Sequence, residues 1–199
     1  MKRLLILSTV ILCNVVTFSQ DKNIYMTFSD FQNDVPSKYC NFQLKQRTSG
    51  DIFMIGGIAN YRLKKIVPTS EVENLTKYVW GIQFSDSAFI NSNPFSKIFG
   101  YNKIIEKGYY SYFIGEPARL KEEQIKVGII KDGDQQKAVC CQTGYVILPD
   151  GTIKWLNPDL LKELIKDNAE LSKDVENRNL KIEDVYQMFE ILHQYNRMR

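Results

Sequence analysis

The chain predicts an α+β domain, a predominantly antiparallel β-sheet or hairpin meander followed by two or more C-terminal α-helices. Three observations predict it. Short β-rich runs broken by glycine and aspartate turns extend as far as Leu156, and after Asn157-Pro158 the apolar spacing changes from alternation to a helical repeat. The composition, 44% hydrophobic and 25% charged, is that of a chain able to bury a core.

Taken in order, Thr27 followed three residues later by Asp30 has the form of a capping box, starting a short helix that Pro36 stops. Residues 51–55 and 61–67 read as two strands about a turn or bulge at Gly56-Gly57. Residues 71–78 form a helical turn or a loop. A strand follows at 79–84, with Trp80, Ile82 and Phe84 on one face, and Ser85-Asp86-Ser87 breaks it before a partner at 88–91. Residues 101–106 and 109–114 make a hairpin about Lys107-Gly108. Its second run is two-sided, with Tyr110, Tyr112 and Ile114 on one face and Tyr109 and Phe113 on the other, as in a central strand.

Two more strands are expected at 125–130 and 138–141, joined by a polar turn. Between 145–148 and 152–156, Pro149-Asp150-Gly151 supplies the positive φ that a tight hairpin turn needs. Asn157 is placed to cap a helix that begins at Pro158 and carries Leu160, Leu161, Leu164 and Ile165 as its apolar stripe. Ile182, Val185, Tyr186, Phe189, Leu192 and Asn196 mark a second helix, with Asn177-Arg178-Asn179 as the break between the two.

The N-terminus has the form of a secretory signal. Met1-Lys2-Arg3 is a short positive start, and residues 4–16 are an apolar run interrupted only by Ser8, Thr9 and Asn14. A membrane-spanning helix needs about 20 apolar residues, and the polar residues from Ser19 to Asn23 end this run too early. Thr17-Phe18-Ser19 offers small residues for cleavage, so residues 1–19 are expected to be a signal peptide and the mature chain to begin at Gln20. Cys13 belongs to the apolar run.

Residues 20–199 then form a single domain without a transmembrane helix, exported to the periplasm, the outer membrane or the medium. Removing Lys2 and Arg3 leaves 24 basic against 23 acidic residues. That balance gives no field for nucleic acid or an anionic membrane surface. Cys40, Cys140 and Cys141 remain after cleavage. Either Cys40 pairs with one of the adjacent two, leaving a free thiol, or all three are small buried hydrophobes.

Candidate chemistry is sparse. His193 is the sole histidine, and it falls at the edge of the last helix's stripe one turn beyond Phe189, where a structural role is expected. The cysteines lack zinc-ligand spacing, and Asp132-Gly133-Asp134 lacks the remaining ligands of a calcium loop. Gly56-Gly57 has no phosphate-loop surroundings, Glu122-Glu123 reads as a solvated face, and Asn74-Leu75-Thr76 is a glycosylation sequon by pattern alone. No catalytic, cofactor-binding or metal-ligating residues are assigned, and no cofactor is expected. The one surplus is aromatic, 12% of the chain, with Trp80, Tyr109, Tyr110, Tyr112 and Trp155 in the strands. Most of these are expected in the core; any on a wet face would stack on sugars or anchor a protein.

Tyr25, Asp30-Phe31, the Ile55-Gly56-Gly57 run, Trp80-Gly81, Gly108-Tyr109 with Phe113, and Gly144-Tyr145 before the helices occur in an order that resembles a family of uncharacterised secreted proteins of Gram-negative bacteria. Their glycine-rich stretch before the last hairpin is reduced here to Gly128 and Gly133. The resemblance implies export and no established activity. The reading that follows is a non-enzymatic envelope or secreted protein that binds another macromolecule, a protein or a glycan. The alternative is an envelope-directed hydrolase with an unrecognised site.

Overall fold

The computed structural model describes residues 22–37, 40–48, 51, 60–93, 100–115 and 143–199. Among them are nine strands: β1 (Lys22–Tyr25), β2 (Asn41–Gln46), β3 (Tyr61–Val67), β4 (Gly81–Phe84), β5 (Ser87–Asn91), β6 (Tyr101–Glu106), β7 (Ser111–Gly115), β8 (Thr143–Ile147) and β9 (Ile153–Trp155). All the pairings are antiparallel, in the order β1-β4-β5-β6-β7-β8-β9, with β2 on β3 and β3 joined to β6 at Tyr61–Tyr101. The helices are α1 (Phe28–Gln32), α2 (Pro158–Leu164), α3 (Ala169–Arg178) and α4 (Val185–Met198). The α+β arrangement, an antiparallel sheet followed by C-terminal helices, is the one the sequence predicts.

Local chemistry explains where these elements begin and end. Thr27 and Asp30 close the capping box of α1, each side chain bonding the other's backbone N–H. Asn157 and Asn168 cap α2 and α3 by accepting from Leu160 N (2.9 Å) and Leu171 N (3.0 Å). Asn179 ends α3 in the left-handed region at φ 48°.

The two or more helices expected are three, because the chain turns at Ile165 and restarts at Asn168 within the stretch before Asn179. Two strands, β1 and β2, escaped the sequence reading; their polar residues hide the alternation. Residues 71–78 do form helical turns. The strands expected at 51–55, 125–130 and 138–141, the signal segment, Gly56-Gly57, Glu122-Glu123, Asp132-Gly133-Asp134, Cys140 and Cys141 lie wholly or mainly outside the described residues. Cys40 is half-buried against the core around Phe42, Leu75 and Tyr101.

The sheet is covered on both sides. On one, the helices pack Leu161, Val175, Met188, Ile191 and Leu192 onto Tyr112 and Val146. On the other, Tyr25 and Phe31 join Ile90, Ile104, Phe113, Tyr145 and Ile147. β7 is therefore central and two-sided, as Tyr112 and Phe113 pointing into different cores require. Each large apolar side chain fully buried in this way stabilises the fold by roughly 1.5–3 kcal/mol.

Candidate functional site

Among the described residues the β6–β7 connection gathers a carboxylate, an imidazole and several aromatic side chains, and a bulge in β6 places the carboxylate. Ile104 pairs with Phe113 but Glu106 pairs with Tyr112, so Ile105 is an extra residue with no opposite number on β7. In a regular strand Glu106 would share a face with Ile104. The insertion turns it instead to the side of Tyr112, under α4.

There its carboxylate becomes a hub. Oε2 accepts from the Tyr112 hydroxyl (2.5 Å) and meets His193 Nδ1 at 2.6 Å, while Oε1 accepts from Asn196 Nδ2 (3.0 Å). Burial opposes ionisation of Glu106, but the hydrogen bonds from Tyr112, Asn196 and His193 outweigh it and hold the carboxyl below the ordinary glutamate value. Burial, with the bond to Glu106, pushes the Tyr112 phenol well up. Asn196 also clamps the backbone of Tyr110, accepting from its N–H and donating to its C=O, both at 2.9 Å. Gly108 is required beside this clamp, since a Cβ there would lie 2.5 Å from Asn196 Nδ2.

The other face of the same turn lines a shallow cavity of about 140 Å³. Phe28, Phe31 and Gln32 of α1 form one wall, Lys107, Gly108, Tyr109 and Ser111 the second, and Ile147 with Pro149 the third. The β8–β9 turn reaches α1 because Gly151, at φ 85°, leaves room for the Phe28 ring; a Cβ would meet it at 2.6 Å. Lys107 Nζ sits 4.4 Å above the Phe31 ring and donates to the Phe31 carbonyl (3.2 Å). Ser111 closes the turn, its hydroxyl accepting from Gly108 N (3.3 Å).

At the rim, Tyr109 is 45% exposed. It packs edge-on against Tyr110 at 4.8 Å, and the Arg199 guanidinium lies 5.2 Å over its ring while pairing with Asp167.

The sequence-singled residues distribute unevenly over this site. Tyr110 and Tyr112 are buried and Trp80 and Trp155 half-buried, as expected of core aromatics, whereas Tyr109 faces solvent. His193 does not continue an apolar stripe: its side chain is 50% exposed, and Tyr186, expected on the same stripe, is 65% exposed. The helical period turns both away from the centre of α4's buried face, and the hub, not the core, is what His193 touches. Asn74 of the sequon donates to Glu71 within the helical turns. In the sequence Lys107 reads only as half of a turn dipeptide, and Glu106 only as the last residue of the strand 101–106. Nothing local announces the bulge that positions it.

Chemically, the hub holds an imidazole by Nδ1 against a carboxylate, and the cavity offers apolar walls with one ammonium group. Among the described residues no group of three His, Cys, Asp or Glu side chains is placed to hold a metal ion, and no helix is long and apolar enough to cross a membrane. Residues 23–199 match the model of a family of unknown function, DUF6563. No curated protein and no solved structure matches the chain.

Proposed function

Since the chain belongs to the DUF6563 family, whose function is unknown, we propose from the site and the N-terminal sequence that it is an exported, non-enzymatic protein binding another macromolecule in the cell envelope or outside it. The observation that carries the reading is the rigidly braced β6–β7 tip. Tyr109 stands exposed beside an aromatic cavity, and the turn is tied to α4 through Asn196 and to α1 through Lys107. Preorganised aromatic residues at a rim are the anchors that interfaces use most. Export rests on the positive start and apolar run of residues 1–19.

The test is a photo-cross-linking amino acid placed at Tyr109 in the producing cell, with Tyr78, an exposed residue outside the cavity lining, as the control position. A discrete adduct formed from position 109 and not from 78 is expected. Equal labelling from both, or none from position 109 in folded protein, would overturn the reading.

An envelope-directed hydrolase is the second reading, and the Glu106–His193 pair is what favours it. A carboxylate on Nδ1 orients an imidazole so that Nε2 can act as a base. Neither residue lines the cavity, however. An envelope-degrading activity lost in His193→Gln at unchanged melting temperature would bring this reading to first place.

A further inference from the structure

We propose that the cavity between α1 and the β6–β7 turn receives an apolar side chain of a partner polypeptide whose adjacent acidic residue pairs with Lys107. The proposal rests on the binding reading above and names the partner's chemistry. Of the nine residues lining the cavity, Lys107 alone carries a charge. Among the described residues it has no carboxylate partner; its contacts are the face and carbonyl of Phe31. An ammonium group has three donors, and one is used. The ring and the carbonyl hold the cation in place without neutralising it, so its charge and free donors remain for an anion.

Size and wall chemistry narrow the occupant. About 140 Å³ is below the roughly 300–1,000 Å³ of pockets that enclose a small-molecule ligand, and suits one inserted side chain. Phe28, Phe31, Ile147 and Pro149 give the cavity four apolar side chains, and the Ser111 hydroxyl is already engaged with Gly108, which leaves Gln32, Tyr109 and Lys107 as the polar side chains of the lining. A sugar ring inserted there would set hydroxyls against these apolar side chains, which costs free energy that an aliphatic or aromatic side chain does not incur. The acid belongs next to the anchor because Lys107 both lines the cavity and is exposed to solvent.

The experiment is an amide-resolved NMR titration of the mature protein, read at Gln32, Gly108 and Ser111. The probes are end-capped glycine peptides carrying a central Phe-Asp, Phe-Lys or Ala-Asp pair, with glucuronate as the sugar acid. Saturable shifts at the three amides are expected from the Phe-Asp peptide, with weaker binding of the other two peptides. Lys107→Gln should weaken the Phe-Asp peptide about two- to fivefold, the factor an exposed ion pair supplies, and Lys107→Arg should restore it.

Equal binding of the Phe-Lys peptide, an unchanged affinity in Lys107→Gln, or shifts from glucuronate alone would overturn the proposal. Unchanged amide positions away from the cavity confirm that each variant is folded. If no peptide binds while the Tyr109 cross-link persists, the ligand class falls and the binding reading stands; if the cross-link is absent as well, both fall.

Discussion

Ile105 is the residue on which the placement of Glu106 depends, because one inserted residue in β6 carries the next side chain from the Ile104 side to the Tyr112 side. The hub it forms has a definite pH signature. The folded-state pKa of Glu106 is lowered, so the unfolded chain binds more protons at this position and stability rises with pH. The contribution is fully present above the unfolded glutamate value of about 4.3 and is lost as pH falls through the lower folded value. Urea titrations at several acidic pH values should therefore give a shallower loss of stability below about pH 5 for Glu106→Gln than for the unsubstituted protein. Identical slopes would mean that the hub does not hold the carboxylate ionised. Period-two reasoning puts Glu106 on the face of Ile104, since a bulge is fixed by the pairing partner and not by the strand's own residues.

Among the elements, the three C-terminal helices depend most visibly on short-range chemistry. Asn157 contributes one side-chain acceptor to the first turn of α2, and Pro158 has no N–H needing a partner there. Asn157→Ala should cost about 1 kcal/mol, measured as a shift of the urea midpoint at constant slope. A change within error would mean that packing of Leu161 against the core sets the start of α2 unaided. That cap was legible because Asn-Pro before an apolar stripe is a local signal. The second cap at Asn168 was not, since the stripe of Leu164 and Ile165 runs on toward Leu171 without an obvious stop. The outer face of α4 was misread for a related reason. Tyr186 is apolar enough to count toward a stripe, yet a helix face is settled by what packs on it, and here Val185, Met188 and Phe189 take the core.

For the whole molecule, α4 supplies Val185, Met188, Phe189, Ile191, Leu192 and Tyr195 to the helix-side core. Burying six such side chains is worth on the order of 10 kcal/mol, comparable to the entire ~5–15 kcal/mol stability of a domain. A chain ending at Asp184 should therefore show no cooperative unfolding and no near-ultraviolet circular dichroism. A cooperative transition in that truncation would mean that the sheet folds without its helical cover. The sequence by itself determined the class of the fold, the β6–β7 and β8–β9 hairpins, the caps of α1 and α2 and the apolar stripe of α2, because turn chemistry and periodicity act within a few residues of one another. Only the tertiary structure decided the rest. It placed Glu106, His193 and Asn196 in one cluster across about 90 residues of chain, stood Lys107 over Phe31 from a different part of the chain, and left Tyr109 in solvent while Tyr110 was buried. Each of these depends on strand register and helix docking, and register is a property of pairs of segments that no single segment encodes.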